Sequence, residues 1–164
     1  MRQIITALVL FACFFPTYAN GQKDTDAKRK ARNHYVKYVN ASQKIVGESD
    51  KHYQNTLKWL TKWRKSANNT YKKEIEIKIR EFKKFPEKVS KLPAPLSEIK
   101  EIRSNDVKML NCITDIYIEY QKQIKMAWEP MENSKIRTLM KKYEEHAQRY
   151  KALHKSFQKK YGKK

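Results

Sequence analysis

The sequence predicts an all-α protein, an up-and-down bundle of about five helices, and three observations support this fold class. Apolar residues recur every three or four positions along most of the chain, which is the period of a helix that buries one face. Only three glycines occur, so tight hairpin turns between strands have few places to form. Prolines and short polar clusters separate the periodic stretches and indicate where the helices end.

The first segment has the composition of a secretory signal peptide. A basic start is followed by an apolar run over residues 4–15, and Ala19 is a small residue at the expected cleavage position. The run is too short to span a bilayer. We therefore expect residues 1–19 to be a signal peptide and residues 20–164 to form a single secreted helical bundle with a basic C-terminal tail.

Two helices are predicted in the first part of this bundle. The first begins near Ala27 and ends at Gly47, because glycine often caps the C-terminus of a helix. Ser49 or Asp50 then caps the second helix, since a short side-chain oxygen can accept a hydrogen bond from a free amide of the first turn. The polar residues from Ser66 onwards end this second helix.

The next segment, residues 71–85, fits two different periods. Its centre, residues 75–79, alternates like an amphipathic strand, whereas the apolar residues from Tyr71 to Phe82 also recur at helical spacing. We predict a helix, because no second strand is available nearby for pairing. In that helix Ile77 lies off the apolar stripe.

Proline marks the main crossover between the two halves of the bundle. Three prolines interrupt the helical pattern within residues 86–95, and a short turn is expected around residues 96–102. A long helix then begins at Ser104 or Asn105 and stops before Pro130. The last helix follows, with an N-cap at residue 133 or 134, and it runs into the basic tail.

Charge is the strongest functional signal in this sequence. The chain carries a net charge of +20, and removal of the signal peptide takes away one arginine and no acid, which leaves +19. Such a field attracts anionic lipid headgroups and acidic glycans, and it opposes self-association. We therefore expect an anionic membrane surface or an extracellular glycoprotein as the partner, no nucleic acid, and a monomer or weak homodimer.

Aromatic and apolar residues that fit the helical stripes poorly are the second signal. Trp59, Trp63, Ile77 and Trp128 fit them least well, and exposed beside lysines they would form an apolar patch with a basic surround. The residues expected to contact a membrane or partner are Lys28, Arg29, Lys30, Lys58, Trp59, Lys62, Trp63, Arg64, Ile77, Trp128, Lys159, Lys160, Lys163 and Lys164.

The sequence offers little that indicates catalysis, a metal or a cofactor. No zinc-binding helix motif, paired cysteines or glycine-rich phosphate loop occurs, and the pair His146 and His154 is interpreted as part of a solvated face. After signal cleavage Cys112 is the one remaining cysteine, and its apolar neighbours indicate a buried thiol rather than a nucleophile. Asn40 and Asn68 each begin an N-glycosylation motif.

Short motifs in the first half of the chain and at its tail resemble those of the abalone sperm lysin family. They are His34-Tyr35-Val36, Thr56 to Leu60 followed by Lys72-Lys73, the stretch from Ile77 to Phe82, and the ending Lys160-Tyr161-Gly162-Lys163. Order and spacing agree through the first half of the mature chain. Between about residues 83 and 155 the similarity is limited to the helical pattern.

The resemblance implies a lysin-like, five-helix secreted bundle that is stored in the sperm acrosomal vesicle and acts at fertilisation without hydrolysis. The family contains lysin, which opens the egg vitelline envelope by stoichiometric binding of its glycoproteins, and an acrosomal paralogue, the fusagenic eighteen-kilodalton sperm protein, associated with membrane fusion. The sequence departs from lysin in Cys112, in Pro93-Ala94-Pro95 and in much of its second half. These departures favour the fusagenic paralogue. An envelope lysin, and a secreted helical cytokine or antimicrobial protein, remain the alternatives.

Overall fold

Helices account for most of the chain between residues 26 and 161. The structure, a computed structural model, describes residues 25–162, so the predicted signal peptide lies outside the described residues. The α-helices of this range are α1 (Asp26–Leu60), α2 (Asn68–Phe82), α3 (Lys84–Ser90), α4 (Ser97–Lys125) and α5 (Ser134–Tyr161), with a 3₁₀ turn at Lys65–Ala67. The described range contains no strand. The all-α prediction is confirmed, but the bundle has four long helices rather than five, and α3 has only seven residues.

The predicted helix end at Gly47 is wrong, because α1 is one helix of 35 residues that continues through this glycine. The buried residues Tyr38, Val46, Tyr53 and Leu60 are spaced seven or eight positions apart, so one apolar stripe continues on both sides of the glycine. Gly47 is exposed and sits in open space. A glycine in a helix costs about 1 kcal/mol relative to alanine, which is less than the burial of this stripe contributes.

Contacts between α1 and its neighbours define the direction of the chain. Tyr38 of α1 bonds to Asp106 of α4, and His52 further along α1 bonds to Tyr117 further along α4, so these two helices run parallel. Glu81, near the end of α2, lies 3.3 Å from His52. Helix α2 therefore turns back along α1, and the following crossover returns the chain to the end where α4 begins.

Helices α4 and α5 run antiparallel. Asn133 at the start of α5 donates to Glu119 late in α4, while Arg149 late in α5 donates to Glu101 early in α4. Helices α1, α2, α4 and α5 thus alternate in direction, as an up-and-down bundle requires.

Aromatic rings fill the centre of the bundle. Tyr53, Phe82 and Tyr117 come from α1, α2 and α4 respectively, and all three are fully buried. The ring of Tyr117 lies 5.7 Å from that of Tyr53 and 5.1 Å from that of Phe82. Such pairs add stability beyond the area that they bury. Most tyrosines therefore serve the core, as the sequence predicts.

The crossover is shorter than the sequence predicts. Pro86 lies in the first turn of α3, where its missing N–H would have no helical partner in any case. The expected turn at residues 96–102 is instead the beginning of α4, which starts at Ser97. Ser104 and Asn105, the predicted start of this helix, both lie inside α4, so neither residue is its N-cap.

Two other predictions of secondary structure are confirmed. The segment with two periods is a helix, α2, and Ile77 lies on its exposed side. Asn133 caps α5, because its side-chain oxygen accepts a hydrogen bond from the amide of Ile136 at 2.8 Å.

Candidate binding surface

The basic residues named from the sequence lie at opposite ends of the bundle. Lys28, Arg29 and Lys30 lie in the first turns of α1, whereas Lys58 lies in its last turn. A straight helix of this length spans about 50 Å. The end where α1 begins and α5 ends is called the Lys28 pole below, and the end where α1 and α4 end is called the Trp128 pole.

At the Lys28 pole several cations are paired with acids. Arg29 lies 2.9 Å from Asp26, and Lys160 lies 2.5 Å from Glu98. The hydrogen bond from Lys160 lowers the pKa of Glu98 to about 2. Three further cations at this pole are exposed: Lys28, Lys30 and Lys159. Lys163 and Lys164 lie outside the described residues.

The Trp128 pole contains a long segment without acids. From Lys51 to Lys73 the chain carries seven lysines and arginines and no aspartate or glutamate. Lys58, Lys62 and Arg64 within this segment are exposed. Since opposite charges are lacking along the segment itself, it forms a positive field at this end of the molecule.

Two tryptophans of this segment are half-buried rather than fully exposed. The ring of Trp59 stacks on Tyr71 at 4.6 Å between ring centroids, and the ammonium of Lys78 lies 5.1 Å from the ring of Trp59. The indole nitrogen of Trp63 is buried without a hydrogen-bond partner among the described residues. Both rings therefore pack against the bundle and expose only part of their surface.

Ile77 and Trp128 are truly exposed, at 43% and 62% of their accessible surface. Trp128 belongs to the loop after α4, at the Trp128 pole. Ile77 lies on the outer side of α2, nine residues beyond Asn68 at the start of that helix, or about 13 Å along its axis. The structure therefore brings Trp128 close to the basic segment but places Ile77 on a separate face.

Two exposed residues of the same loop were missed by the sequence analysis. Met126 and Met131 are 58% and 60% exposed, and with Trp128 they are the most exposed large apolar side chains of the described chain. Pro130 indicated only where a helix stops. The available signal was three large apolar residues within six positions of a loop, where burial has no helical stripe to follow.

The loop begins with a left-handed residue that is not glycine. Ala127 has a φ of 58°, and the amides of Ala127 and Trp128 donate to the carbonyls of Ile124 and Gln123. This is the Schellman arrangement, which glycine usually closes. The backbone thus accepts a cost of about 1–2 kcal/mol at Ala127, and that conformation directs the chain away from α4 at Trp128.

We predict that Ala127→Gly raises the free energy of unfolding by about 0.5–1 kcal/mol. Glycine relieves the left-handed strain, and the greater entropy of the unfolded chain offsets part of the gain. Ala152→Gly on the exposed side of α5 is the matched control, with an expected loss of about 1 kcal/mol. Urea unfolding of both variants measures the difference, and a loss in Ala127→Gly would contradict the strain.

The other end of the loop is held by side-chain hydrogen bonds. Gln123 is buried, accepts a hydrogen bond from the amide of Met131 at 2.7 Å, and donates to its carbonyl at 3.0 Å. A groove of about 370 Å³ separates the loop from the end of α1, and its lining includes Leu57, Thr61 and Pro130. The loop side of this groove contributes Met131 together with Glu129 and Glu132, and the opposite side belongs to the basic segment.

A polar cluster lies buried between α1, α4 and α5, near the Lys28 pole. The hydroxyl of Tyr38 donates to Asp106 at 2.5 Å, and the hydroxyl of Tyr35 bonds to Nδ1 of His154 at 2.5 Å. The second oxygen of Asp106 and Nε2 of His154 are buried without a partner among the described residues. The prediction that His154 lies on a solvated face is wrong, because the side chain packs against Tyr150 inside the bundle.

Burial shifts both titrations of this cluster. It raises the pKa of Asp106 from 3.8 to about 7, although the hydrogen bond from Tyr38 acts in the opposite direction. Burial lowers the pKa of His154 from 6.5 to about 4. Both changes disfavour the charged form, as expected for groups removed from water.

The two candidate glycosylation sites differ in surroundings. Asn40 is exposed on α1. Asn68 is half-buried at the start of α2, and in the amide orientation that satisfies both of its polar atoms it donates to the carbonyl of Ile124 at 2.7 Å. A glycan on Asn68 would compete with this contact, so Asn40 is the more accessible acceptor.

The described residues contain neither a metal-binding cluster nor an exposed, reactive cysteine. No cluster of three histidine, cysteine or acidic side chains suited to a metal ion occurs in residues 25–162. Cys112 is buried, and burial raises the pKa of its thiol, which reduces the fraction of reactive thiolate. Within the same range no helix is both long and apolar enough to cross a membrane.

Comparisons with protein-family models, with curated proteins and with solved structures found no match to this chain.

Proposed function

We propose that this protein is a non-enzymatic sperm acrosomal protein that acts at fertilisation by binding and perturbing the gamete membrane. The observation that carries the proposal is that the loop with the exposed Trp128 borders the acid-free segment, residues 51–73, across one groove. Cationic side chains attract anionic headgroups, and large apolar side chains enter the boundary between headgroups and acyl chains. The resemblance to the lysin family supplies the gamete as the setting.

The distribution of charge supports the Trp128 pole over the Lys28 pole as the first contact. Arg29 and Lys160 already have acidic partners, so their fields are partly compensated. Lys58, Lys62 and Arg64 lie in a segment without acids, and each is exposed. Because each such cation near an anionic surface contributes about 1 kcal/mol, these three together contribute about 3 kcal/mol to the attraction at this end.

The test is binding of the secreted protein to vesicles with and without phosphatidylserine, together with leakage and lipid-mixing assays. We expect binding, leakage and mixing with the anionic vesicles at low salt, and weaker binding as salt screens the charges. The variant Lys58→Gln/Lys62→Gln/Arg64→Gln should bind about 100-fold more weakly. Failure of the unmodified protein to bind anionic vesicles at low salt would overturn the proposal.

A matched control separates position from total charge. Lys141→Gln/Lys151→Gln/Lys155→Gln removes the same number of exposed cations from α5, away from the acid-free segment. Its binding should fall much less than that of the Lys58 variant. Equal losses in the two triple variants would contradict a localised binding pole.

The envelope-dissolving alternative is tested on isolated egg envelopes. Stoichiometric dissolution of envelopes without lipid mixing would replace the membrane proposal by a lysin-type function. Killing of bacteria at the same concentrations as vesicle leakage, with no preference for gametes, would instead assign a general antimicrobial role.

A further inference from the structure

We propose that the loop from Met126 to Met131 is a preformed insertion loop, which enters an anionic lipid surface while the helices stay folded. The inference rests on the proposed function and assigns its apolar step to one segment. Met126, Trp128 and Met131 are each more than half exposed. Together they present the largest apolar side chains that the described chain leaves in water.

The loop is held in this arrangement by the backbone and by its flanking helices. The Schellman hydrogen bonds close α4 around Ala127, and Gln123 binds both the amide and the carbonyl of Met131. Asn133 caps α5 directly afterwards. These bonds fix the backbone of the loop at both ends, so the loop cannot collapse onto the groove as a whole without breaking them.

The charges around the loop separate its role from that of the basic segment. Lys125 pairs with Glu76 at 3.2 Å and Arg137 pairs with Glu132 at 3.0 Å, so cations beside the loop have acidic partners. The loop itself carries one charge, that of the exposed Glu129. A charge is costly in the acyl boundary, so the side chains that enter it are Met126, Trp128 and Met131, while Glu129 stays at the level of the headgroups. The acid-free segment across the groove supplies the attraction to headgroups, and this complementarity of charge identifies a lipid surface as the occupant.

A second copy of the chain is a poorer occupant of this surface. The mature chain is expected to carry a charge of +19, so two copies repel each other at low salt.

The experiment compares Met126→Ser/Trp128→Ser/Met131→Ser with Ile77→Ser on vesicles that contain phosphatidylserine. All four side chains are exposed, so both variants should keep the circular dichroism of the unmodified protein. The triple variant should bind about 100-fold more weakly at physiological salt and lose leakage activity. Ile77→Ser removes an exposed apolar side chain on another face, and its binding should change less than twofold.

Insertion itself is measured by quenching of tryptophan fluorescence with brominated lipids. The unmodified protein should be quenched, and Trp128→Phe should lose most of that quenching, since Trp59 and Trp63 are half-buried in the bundle. The near-ultraviolet circular dichroism should persist on the vesicles. Its loss would mean that the bundle unfolds to bind, and that outcome would overturn the inference.

The failures of the two proposals are distinguishable. If the unmodified protein binds anionic vesicles and the triple serine variant binds and inserts equally well, the insertion loop is wrong while membrane binding stands. If the unmodified protein does not bind, both proposals fail. Binding of the loop to an egg glycoprotein in the absence of lipid would also replace the lipid surface as its occupant.

Discussion

Replacement of Asp106 by asparagine should change the pH dependence of stability by about 4 kcal/mol. In the folded protein burial raises the pKa of this carboxyl from 3.8 to about 7. The folded state therefore holds its proton more tightly than the unfolded state, and the stability that this carboxyl contributes is lost as the pH rises from about 4 to 7. Asparagine has no such titration. At about 1.4 kcal/mol for each pH unit between the two pKa values, the loss amounts to about 4 kcal/mol.

The measurement is urea unfolding of Asp106→Asn and of the unmodified protein from pH 4 to pH 8. The stability of the variant relative to the unmodified protein should increase steadily with pH and level off above pH 7. The neutral amide can still accept the hydrogen bond from Tyr38. Asp115→Asn on the exposed side of α4 is the control. Its stability relative to the unmodified protein should change little between pH 4 and pH 8, because this side chain is exposed. A constant difference for Asp106→Asn would show that this carboxyl is not desolvated.

Replacement of His154 by glutamine should have the opposite dependence on pH. Burial lowers the pKa of His154 from 6.5 to about 4, so the folded state holds a proton less tightly than the unfolded state. The stability that this histidine contributes is therefore lost as the pH falls from about 6.5 to 4. His154→Gln lacks this titration, and its stability relative to the unmodified protein should increase on acidification by about 3 kcal/mol.

The same unfolding series measures this effect. Glutamine can accept the hydrogen bond from Tyr35, so the core contact has a substitute. His34→Gln, at an exposed position of α1, is the matched control. Its stability relative to the unmodified protein should be nearly constant over the pH series. A relative stability of His154→Gln that decreases on acidification would contradict the burial of a neutral imidazole.

The two shifts compensate each other in the unmodified protein. Between about pH 4.5 and 6 a proton that occupies the histidine in the unfolded state occupies Asp106 in the folded state, so the total number of bound protons hardly changes. We therefore expect these two groups together to contribute a nearly flat stability profile in that range. In Asp106→Asn the pH dependence from His154 is no longer cancelled. In His154→Gln the pH dependence from Asp106 is no longer cancelled.

The sequence was most informative where one physical rule acts over many residues. The period of the apolar positions predicted an all-helical chain and a helix at residues 68–82, because burying one face of a helix requires that period. The N-cap at Asn133 was also readable, since it depends only on the amides of the next turn. The acid-free segment and the net charge need no fold at all to be recognised.

Local signals give wrong predictions where tertiary packing outweighs them. Gly47 is a favourable helix end in isolation, but the stripe on both sides of it packs against the same core, so α1 continues. Ser104 and Asn105 are good N-caps in isolation, yet both lie inside α4, where Asn105 donates to the carbonyl of His146 in α5 instead. Such choices depend on partners that are distant in sequence, and single-sequence patterns carry no record of them.

The sequence by itself determined that this protein is a helical and strongly basic chain, because periodicity and charge are properties of composition and order. Only the tertiary structure decided which apolar residues remain in water. Trp59 and Trp63 pack partly against the bundle, whereas Met126, Trp128 and Met131 stay exposed on one loop. The physical reason is that exposure is set by the neighbours that reach a side chain, and here the hydrogen bonds of Gln123 and the left-handed Ala127 hold the loop away from the core.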